Sequence, residues 1–388
     1  MPELTLESHQ QPIYSLAHRR TVGVEALLRA REGDAPISPL DAYARHTGDR
    51  HRFDLDVAAT HCRHAAREAG TDRWLFLNVD PATLASRNHA DALAARVVES
   101  GLSPSKVVLE VLEHALEADD ALIDNARRLR KAGFLIAVDD FGVGHSNLDR
   151  VCLLEPDFVK FDRNLLRRST EQPRTRNLLT KLVHLMHEIG ALVVIEGVET
   201  EADVLVALES GCDLVQGYYI ARPAPVPDQD EAITPRVDAR WDELMVRELM
   251  KRKLSRRQIE LARQAFVQSA IALMQGTAFT DAARPMLALP DVIRCFLLDG
   301  SGRQIGRNLN ARDSTDTGQP KFAPLANTTG AVWSRRGYFQ HAIDQPGVLY
   351  MSEPYLSMTD TRNCVTLSMA IEIDEDLHVL CADVQVAR

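Results

Sequence analysis

From the N-terminus to about residue 225 the chain repeats one unit, a short apolar run ending in a polar or acidic residue and then a longer stretch with apolar positions at three- and four-residue steps. The runs are Val22 to Leu28, Trp74 to Val79, Lys106 to Val111, Phe134 to Asp140, Asp157 to Phe161, Ala191 to Glu196 and Asp213 to Gln216. The intervening stretches, such as Ala121 to Ala132 and Asn177 to Ile189, space Leu, Ile and Val as an amphipathic crossover helix does. Strand and helix in alternation predict parallel β/α units, and Pro12 to Leu16 supplies an eighth strand. The expected fold class is α/β, a TIM-like (β/α)8 barrel slightly shorter than the usual ~250 residues.

The pattern breaks at Ala221, where Pro223, Pro225 and Pro227 fix φ and remove donors, so the barrel is expected over 1–225. Trp241 to Ala283 then predicts helix, long or broken once, with Leu244, Leu249, Leu261, Phe266, Ile271 and Met274 among its apolar positions. Its basic cluster, Lys251 to Arg257, reads as a solvated face. Past Asp291 the runs Val292 to Leu298, Val348 to Tyr350, Cys364 to Ile373 and Leu377 to Val384, with a Gly300-Ser301-Gly302 turn, predict strands. A linker and helical connector over 226–289 and an α+β domain over 290–388 complete the expected organisation of the 388 residues.

Composition narrows the function classes. With 45 Lys and Arg against 55 Asp and Glu the net charge is −10, which argues against polynucleotide and anionic membrane as partners. Apolar runs such as Phe134 to Val138 fall far short of the ~20 residues that span a bilayer, and the acidic N-terminus does not resemble a signal peptide. A cytoplasmic protein is expected. The six cysteines form no C-x-x-C pair and sit in apolar contexts, which predicts buried free thiols.

In a parallel barrel the C-terminal strand ends share one face and converge on one site. Here those ends carry Glu25, Asn78, Glu110, Asp139 with Asp140, Lys160, Glu196 and Gln216. Five carboxylates crowded together would raise one another's pKa values, a conflict that divalent ions remove. All-oxygen ligation selects Mg2+, Mn2+ or Ca2+, and a pair of such ions suits phosphodiester hydrolysis.

Val24-Glu25-Ala26-Leu27-Leu28-Arg29 resembles the signature of the EAL family of cyclic di-GMP phosphodiesterases. The likeness continues in order through Gln11-Pro12-Ile13, Leu77-Asn78-Val79, Leu109-Glu110 with Glu113, Asp139-Asp140-Phe141-Gly142-Val143-Gly144, Val159-Lys160-Phe161-Asp162, Glu196-Gly197-Val198-Glu199-Thr200 and Gln216-Gly217-Tyr218-Tyr219. The resemblance implies metal-dependent hydrolysis of cyclic di-GMP to linear pGpG, with Mg2+ or Mn2+ in a two-metal site and Ca2+ inhibitory. It further implies that Glu25, Asn78, Glu110 and Asp140 hold the first metal, that Asp139 bridges to the second, and that Glu196 completes the metal and water network. Lys160 would lie beside the attacking water, as orienting cation, charge stabiliser or base. Arg29 would meet a substrate phosphate, Gln11 the far end of the pocket and Gln216 substrate or water, while Glu113 would anchor the Gly-rich loop. A homodimer is likewise implied. The chain departs from the family at Leu112 and Val143, which lack hydroxyls common there, and at Ala30, His145 and Asn147. The loop's order is thereby in doubt, which keeps open a rival reading as a cyclic di-GMP receptor of little or no activity; His145 could also be a ligand or a bystander.

Phe296 to Gly302, Trp333-Ser334-Arg335-Arg336-Gly337-Tyr338-Phe339, Ser352 to Tyr355 and Thr366 to Ala370 resemble a PAS/Cache-type sensor. That resemblance implies a small-ligand pocket around Arg335, Arg336, Tyr338 and Tyr355, with an arginine available for a carboxylate. A scaffold or dimerisation domain with a closed pocket is the alternative.

Overall fold

The structure, a computed structural model, describes residues 4–33, 35–45, 49–67, 72–118, 120–142, 148–226, 230–311, 327–357 and 363–385, without the side chains of 117, 118, 248 and 251–256. The chain divides into two compact units, Met1–Val246 and Arg247–Arg388.

In the first unit the strands are β1 (Leu4–Ser15), β2 (Arg20–Glu32), β3 (Ala35–Ile37), β4 (Trp74–Asn78), β5 (Val107–Leu112), β6 (Leu135–Phe141), β7 (Phe158–Phe161), β8 (Leu192–Ile195) and β9 (Leu214–Val215). Their order is β1-β9-β8-β7-β6-β5-β4-β2, and β1 also pairs with β2, so the sheet closes into an eight-stranded barrel; β3 extends the outer end of β2. The class is the expected TIM-like barrel, but it is not parallel throughout. β1 runs antiparallel to both β2 and β9, whereas the other neighbouring pairs around the ring are parallel. The reason is the connection. Only residues 16–19 separate β1 from β2, with Arg19 at φ 54°, and a link that short reverses the chain, since a parallel return needs a crossover of a dozen or more residues.

The two-residue period of a strand sets the interior. Ile13, Phe76, Val108, Ala137, Phe158, Val194 and Leu214 form one buried cluster inside the ring. Gly23 belongs to this layer because a Cβ there would lie 2.8 Å from Phe76 Cε2. Two residues further towards the C-terminal mouth, the same inward face presents Glu25, Asn78, Glu110, Asp139, Lys160, Glu196 and Gln216. β1 delivers Gln11 to that level because it runs the other way, pairing Gln11 with Glu25 and Ile13 with Gly23. An apolar plug thus underlies a polar layer. The outward strand faces bury Leu77, Leu109, Val138 and Ile195 against the helices in a second, larger cluster.

A 45-residue helix, Asp230–Met274, begins well before the expected Trp241. Asp230 and Glu231 favour its N-terminus electrostatically, and Pro235 lies inside it. The second unit adds β10 (Val292–Asp299), β11 (Gln304–Asn310), β12 (Tyr350–Met351), β13 (Tyr355–Leu356), β14 (Asn363–Ile373) and β15 (Asp376–Gln385), an antiparallel sheet of order β11-β10-β15-β14-β12 with β13 also on β14. One face packs Val365, Leu367, Leu380 and Ala382 against Phe266 and Leu273 of the long helix. The other packs Phe296, Leu298 and Val379 against Tyr338 and Phe339 of the helix Gly337–Asp344. All six cysteines are free and five are buried; Cys152 is exposed, contrary to expectation, because it lies on the outer side of the helix Leu148–Leu154. Among the described residues no helix is long and apolar enough to cross a membrane.

Candidate active site

The polar layer is organised around one buried ammonium. Lys160 Nζ lies 2.6 Å from Glu110 Oε1, 2.7 Å from Glu196 Oε1, 3.3 Å from Asp139 Oδ1 and 3.5 Å from Glu25 Oε2, with 1% of its side chain exposed. Asn78 Nδ2 donates to Glu25 Oε1 at 2.8 Å and Gln216 Nε2 to Glu25 Oε2 at 2.7 Å. Gln216 Nε2 also reaches Gln11 Oε1 at 3.3 Å, and Gln11 Nε2 donates to the Ala221 carbonyl. Seven strand ends and the reversed β1 therefore contribute to one connected cluster.

Backbone geometry holds its rim. Asp140 adopts φ 58°, and its N–H donates to Asp139 Oδ1 at 3.0 Å. Glu113 Oε2 accepts from the Gly142 N–H at 3.2 Å, and the Glu113 N–H donates to the Asp139 carbonyl, so this glutamate clamps the end of β6 from both sides. After Glu196 the chain turns at Gly197, where φ is +65° and a Cβ would come within 2.2 Å of Arg163 Cβ, so only glycine fits.

One cation among five carboxylates leaves excess buried negative charge, and the proton affinities record it. Burial raises Glu110 well above the ordinary carboxyl range, with Glu25 and Asp139 adding to the shift against Lys160. Burial likewise pushes Glu196 up to about 8, opposed by Lys160 and reinforced by Asp139 and Glu25. Asp140 is raised by burial and by Asp139. Glu25 is lowered: burial acts upward, but Lys160 and the hydrogen bonds from Gln216 and Asn78 outweigh it. For Lys160 burial favours the neutral amine, yet the surrounding carboxylates hold the proton far more firmly than usual.

The donor set fits divalent cations. Oxygens of Asp139, Asp140 and Glu196 lie within 4.8 Å of one another. Glu110 Oε2 is buried with no hydrogen-bond partner among the described residues, a state that is costly unless a cation or donor meets it. Oxygen-only ligation suits Mg2+, Mn2+ or Ca2+.

Of the sequence-predicted residues, the structure unites Gln11, Glu25, Asn78, Glu110, Asp139, Lys160, Glu196 and Gln216, with Asp140 and Glu113 at the rim. Arg29 stands apart from this cluster, half-buried four residues beyond Glu25, its Nη1 donating to the Leu28 carbonyl at 2.8 Å. Leu112 ends β5, half-buried and in register with Asp139. Val143, His145 and Asn147 lie outside the described residues, as do the side chains of Lys251 to Arg256.

The second unit contains a cavity that the resemblance located only partly. Arg336, Tyr338 and Tyr355 line it, but Arg335 is exposed and does not. Not foreseen were Thr328, Gln304 and an Arg294–Asp383 ion pair at 3.0 Å with both side chains almost fully buried. Its signal was available in principle, since each charge interrupts an otherwise apolar strand.

Comparison with known proteins agrees with this geometry. The EAL domain family matches residues 3–223. The chain is 32% identical over 225 residues to the cyclic di-GMP phosphodiesterase RocR of Pseudomonas aeruginosa, a match covering 56% of this chain and 57% of RocR. It is 27% identical over 342 residues to the EAL-domain containing protein YkuI of Bacillus subtilis, covering 85% of this chain and 82% of that one. The crystal structure of YkuI in complex with substrate c-di-GMP and calcium superposes with a TM-score of 0.78 over 99% of this chain and 97% of YkuI, at 23% identity, a likeness of fold. The manganese and cyclic di-GMP complex of Klebsiella pneumoniae BlrP1 gives a TM-score of 0.53 at 29% identity over 58% of this chain and 56% of that one. The chain thus spans little more than half the length of RocR and BlrP1.

Proposed function

Since this chain belongs to the EAL domain family, we propose that its barrel is a metal-dependent phosphodiesterase that hydrolyses cyclic di-GMP to linear pGpG. The observation that carries the reading is the polar layer itself, in which a buried ammonium and an excess of carboxylates lie at the barrel's C-terminal mouth. Names of relatives support it: RocR is called a cyclic di-GMP phosphodiesterase, and BlrP1 holds manganese with the same dinucleotide.

In this reading Glu25, Asn78, Glu110, Asp139, Asp140 and Glu196 would hold Mg2+ or Mn2+, which would supply a water of lowered pKa and positive charge beside the phosphoryl oxygens. Water attacks phosphorus, the bond from phosphorus to O3′ breaks, and pGpG leaves with a free 3′ hydroxyl. Lys160, buried within reach of Glu110, Glu196, Asp139 and Glu25, would orient the water and offset charge on phosphorus. Gln216 and Gln11 form a hydrogen-bonding wall for the substrate, and Arg29 meets a phosphate with its planar fork. Glu113, holding the end of the strand at Gly142 and Asp139, would keep both aspartates turned to the metal site. The reading also includes a homodimer and regulation of turnover by the second unit.

The purified chain, incubated with cyclic di-GMP and Mg2+ or Mn2+, should release pGpG measurable by chromatography, and Ca2+ should permit binding without product. Glu25→Ala should lower turnover at least ~100-fold, the scale of losing a charge-stabilising group, while leaving the far-UV spectrum unchanged. A second reading, a receptor that binds the dinucleotide and hydrolyses little, is favoured by Leu112, which places an apolar side chain at the end of β5. Tight binding with no metal-dependent product would select it, and absence of binding would remove both.

A further inference from the structure

The outer half of β1 is bonded on one side only. β2 pairs with it from Leu4 to Ser15, but on the other side β9 meets only Tyr14 and Ser15. Further out on that side Gln10 exchanges two bonds with Ala224, its N–H donating to the Ala224 carbonyl at 2.7 Å and its own carbonyl accepting from the Ala224 N–H at 3.1 Å. Residues of an antiparallel strand turn their backbone groups to one neighbour and then the other in alternation. Gln10 spends both groups away from β2, so Ser8 and Leu6 point theirs the same way. Among the described residues those N–H and C=O groups meet no backbone partner on that side.

Beside this open edge lies a groove of about 390 Å3. The run Leu6 to His9 forms one side, and the last two turns of the helix Arg50–Arg67 form the other, presenting Thr60, Arg63 and Arg67. Ser8 Oγ lies 2.7 Å from His61 Nδ1 and fixes strand to helix, while His64 Nε2, 2.8 Å from the Pro225 carbonyl, ties the helix to the segment that ends the open stretch at Gln10. The helical side is cationic. Arg63 and Arg67 are exposed and make no ion pair among the described residues, Arg63 donating to Thr60 Oγ1 at 3.2 Å. Glu7 is the one carboxylate in the lining among the described residues, so this groove carries a local charge opposite to the chain's net −10.

We propose that this groove docks an extended acidic segment of a partner protein, which adds a strand to β1 opposite Leu6 and Ser8 and sets two carboxylates against Arg63 and Arg67. An edge that offers N–H and C=O in alternation is matched by another peptide backbone rather than by a free anion or a nucleic acid. Spacing supports the charge pairing. Arg63 and Arg67 are four residues apart, about 6 Å along a helix, and side chains two apart on one face of a strand are about 6.6 Å apart, so the segment carries an acidic residue at every second position. A second copy of this chain fits less well: β1 laid against β1 would bring the arginines of both copies together, a like-charge contact, and Leu4 to His9 offers one acid, Glu7. The proposal stands apart from the reaction at the barrel mouth, and none of its residues belongs to the carboxylate cluster there.

The test uses the full chain and a short dye-labelled peptide that alternates aspartate with valine, with binding read by fluorescence anisotropy. The peptide should bind saturably in a one-to-one ratio, and a peptide alternating lysine with valine should not bind. Of two forms of the aspartate peptide N-methylated on the two alternate sets of amides, at least one should bind tenfold more weakly. Arg63→Gln combined with Arg67→Gln should weaken binding at least tenfold without moving the urea midpoint, because both side chains are exposed and outside any ion pair. In hydrogen exchange resolved to single residues, the Leu6 and Ser8 amides should slow at least tenfold when the peptide binds, while those of Glu7 and His9, already turned to β2, should not change. No saturable binding by the aspartate peptide, equal affinity for both N-methylated forms and the parent, undiminished affinity in the double variant, or unchanged exchange at Leu6 and Ser8 would each overturn the proposal.

Discussion

Lys160 is the residue on which the site's electrostatics turn. Its ammonium neutralises what would otherwise be mutually repelling carboxylates, and in exchange its own proton is locked in place. Removing one partner of a buried ion pair typically costs ~3–5 kcal/mol. Lys160→Met should therefore unfold at lower urea than the parent in EDTA at pH 8, regain much of the loss on adding Mg2+ or Mn2+, and form no pGpG. An unchanged midpoint in EDTA would show that the carboxylates balance themselves by protonation. At this scale the sequence was informative because strand ends reveal themselves: Glu25, Asn78, Glu110, Asp139, Lys160, Glu196 and Gln216 each close an apolar run. It was silent on how far Lys160 serves as the common partner of four carboxylates, since ion-pair geometry arises only when strands far apart in the chain are brought to one level. The Arg294–Asp383 pair was missed for the same reason, 89 positions separating two residues that neighbouring strands place in register.

Elements were legible where the period was strong and illegible where a connection decided the outcome. The reversed β1 could not be read from Pro12 to Leu16, because an apolar strand carries no mark of direction; the short link to β2 imposes it. The early start of the helix Asp230–Met274 was hidden by Pro223, Pro225 and Pro227, which mark a connector just before it, while Pro235 is accommodated inside it. The helix Arg50–Arg67 shows how burial on an element carries consequences beyond the site. His61 on that helix is 5% exposed, and its Nδ1 lies 2.7 Å from Ser8 Oγ of β1. Burial, aided by His64, pushes it down to about 4 from 6.5. Between those values the unfolded chain binds a proton that the folded protein refuses, so stability is lost as pH falls through this window. At pH 5 the loss is about 2 kcal/mol relative to pH 8, given ~1.36 kcal/mol per pKa unit. Urea midpoints of the parent should fall accordingly, and those of His61→Gln should vary less with pH. Equal slopes for the two proteins would mean that His61 is protonated in the folded state.

For the molecule as a whole, the net charge of −10 describes the chain without ions; two bound divalent cations would bring it to about −6, and the correction falls entirely on the barrel mouth. Each unit also has its own hydrophobic cores, Leu77, Val138 and Ile195 belonging to those of the first and Phe266, Leu298 and Leu380 to those of the second. Separate cores predict separate responses. A ligand that binds only the folded form stabilises it by RT ln(1 + [L]/Kd), about 2.7 kcal/mol at a hundredfold excess over Kd, which for a unit of this size is a shift of roughly 5–10 °C. Scanning calorimetry should resolve two transitions. Mg2+ or Mn2+ should raise one of them by that order and EDTA should reverse it, whereas the other should stay in place. The metal-dependent shift should persist in 0.5 M salt, because charges buried at the barrel mouth are poorly screened. It should vanish in Glu25→Ala, while the other transition in that variant stays in place. A single transition that metal raises as a whole would mean that the two cores unfold as one cooperative body, and would make communication between them a matter of shared stability rather than of a switch.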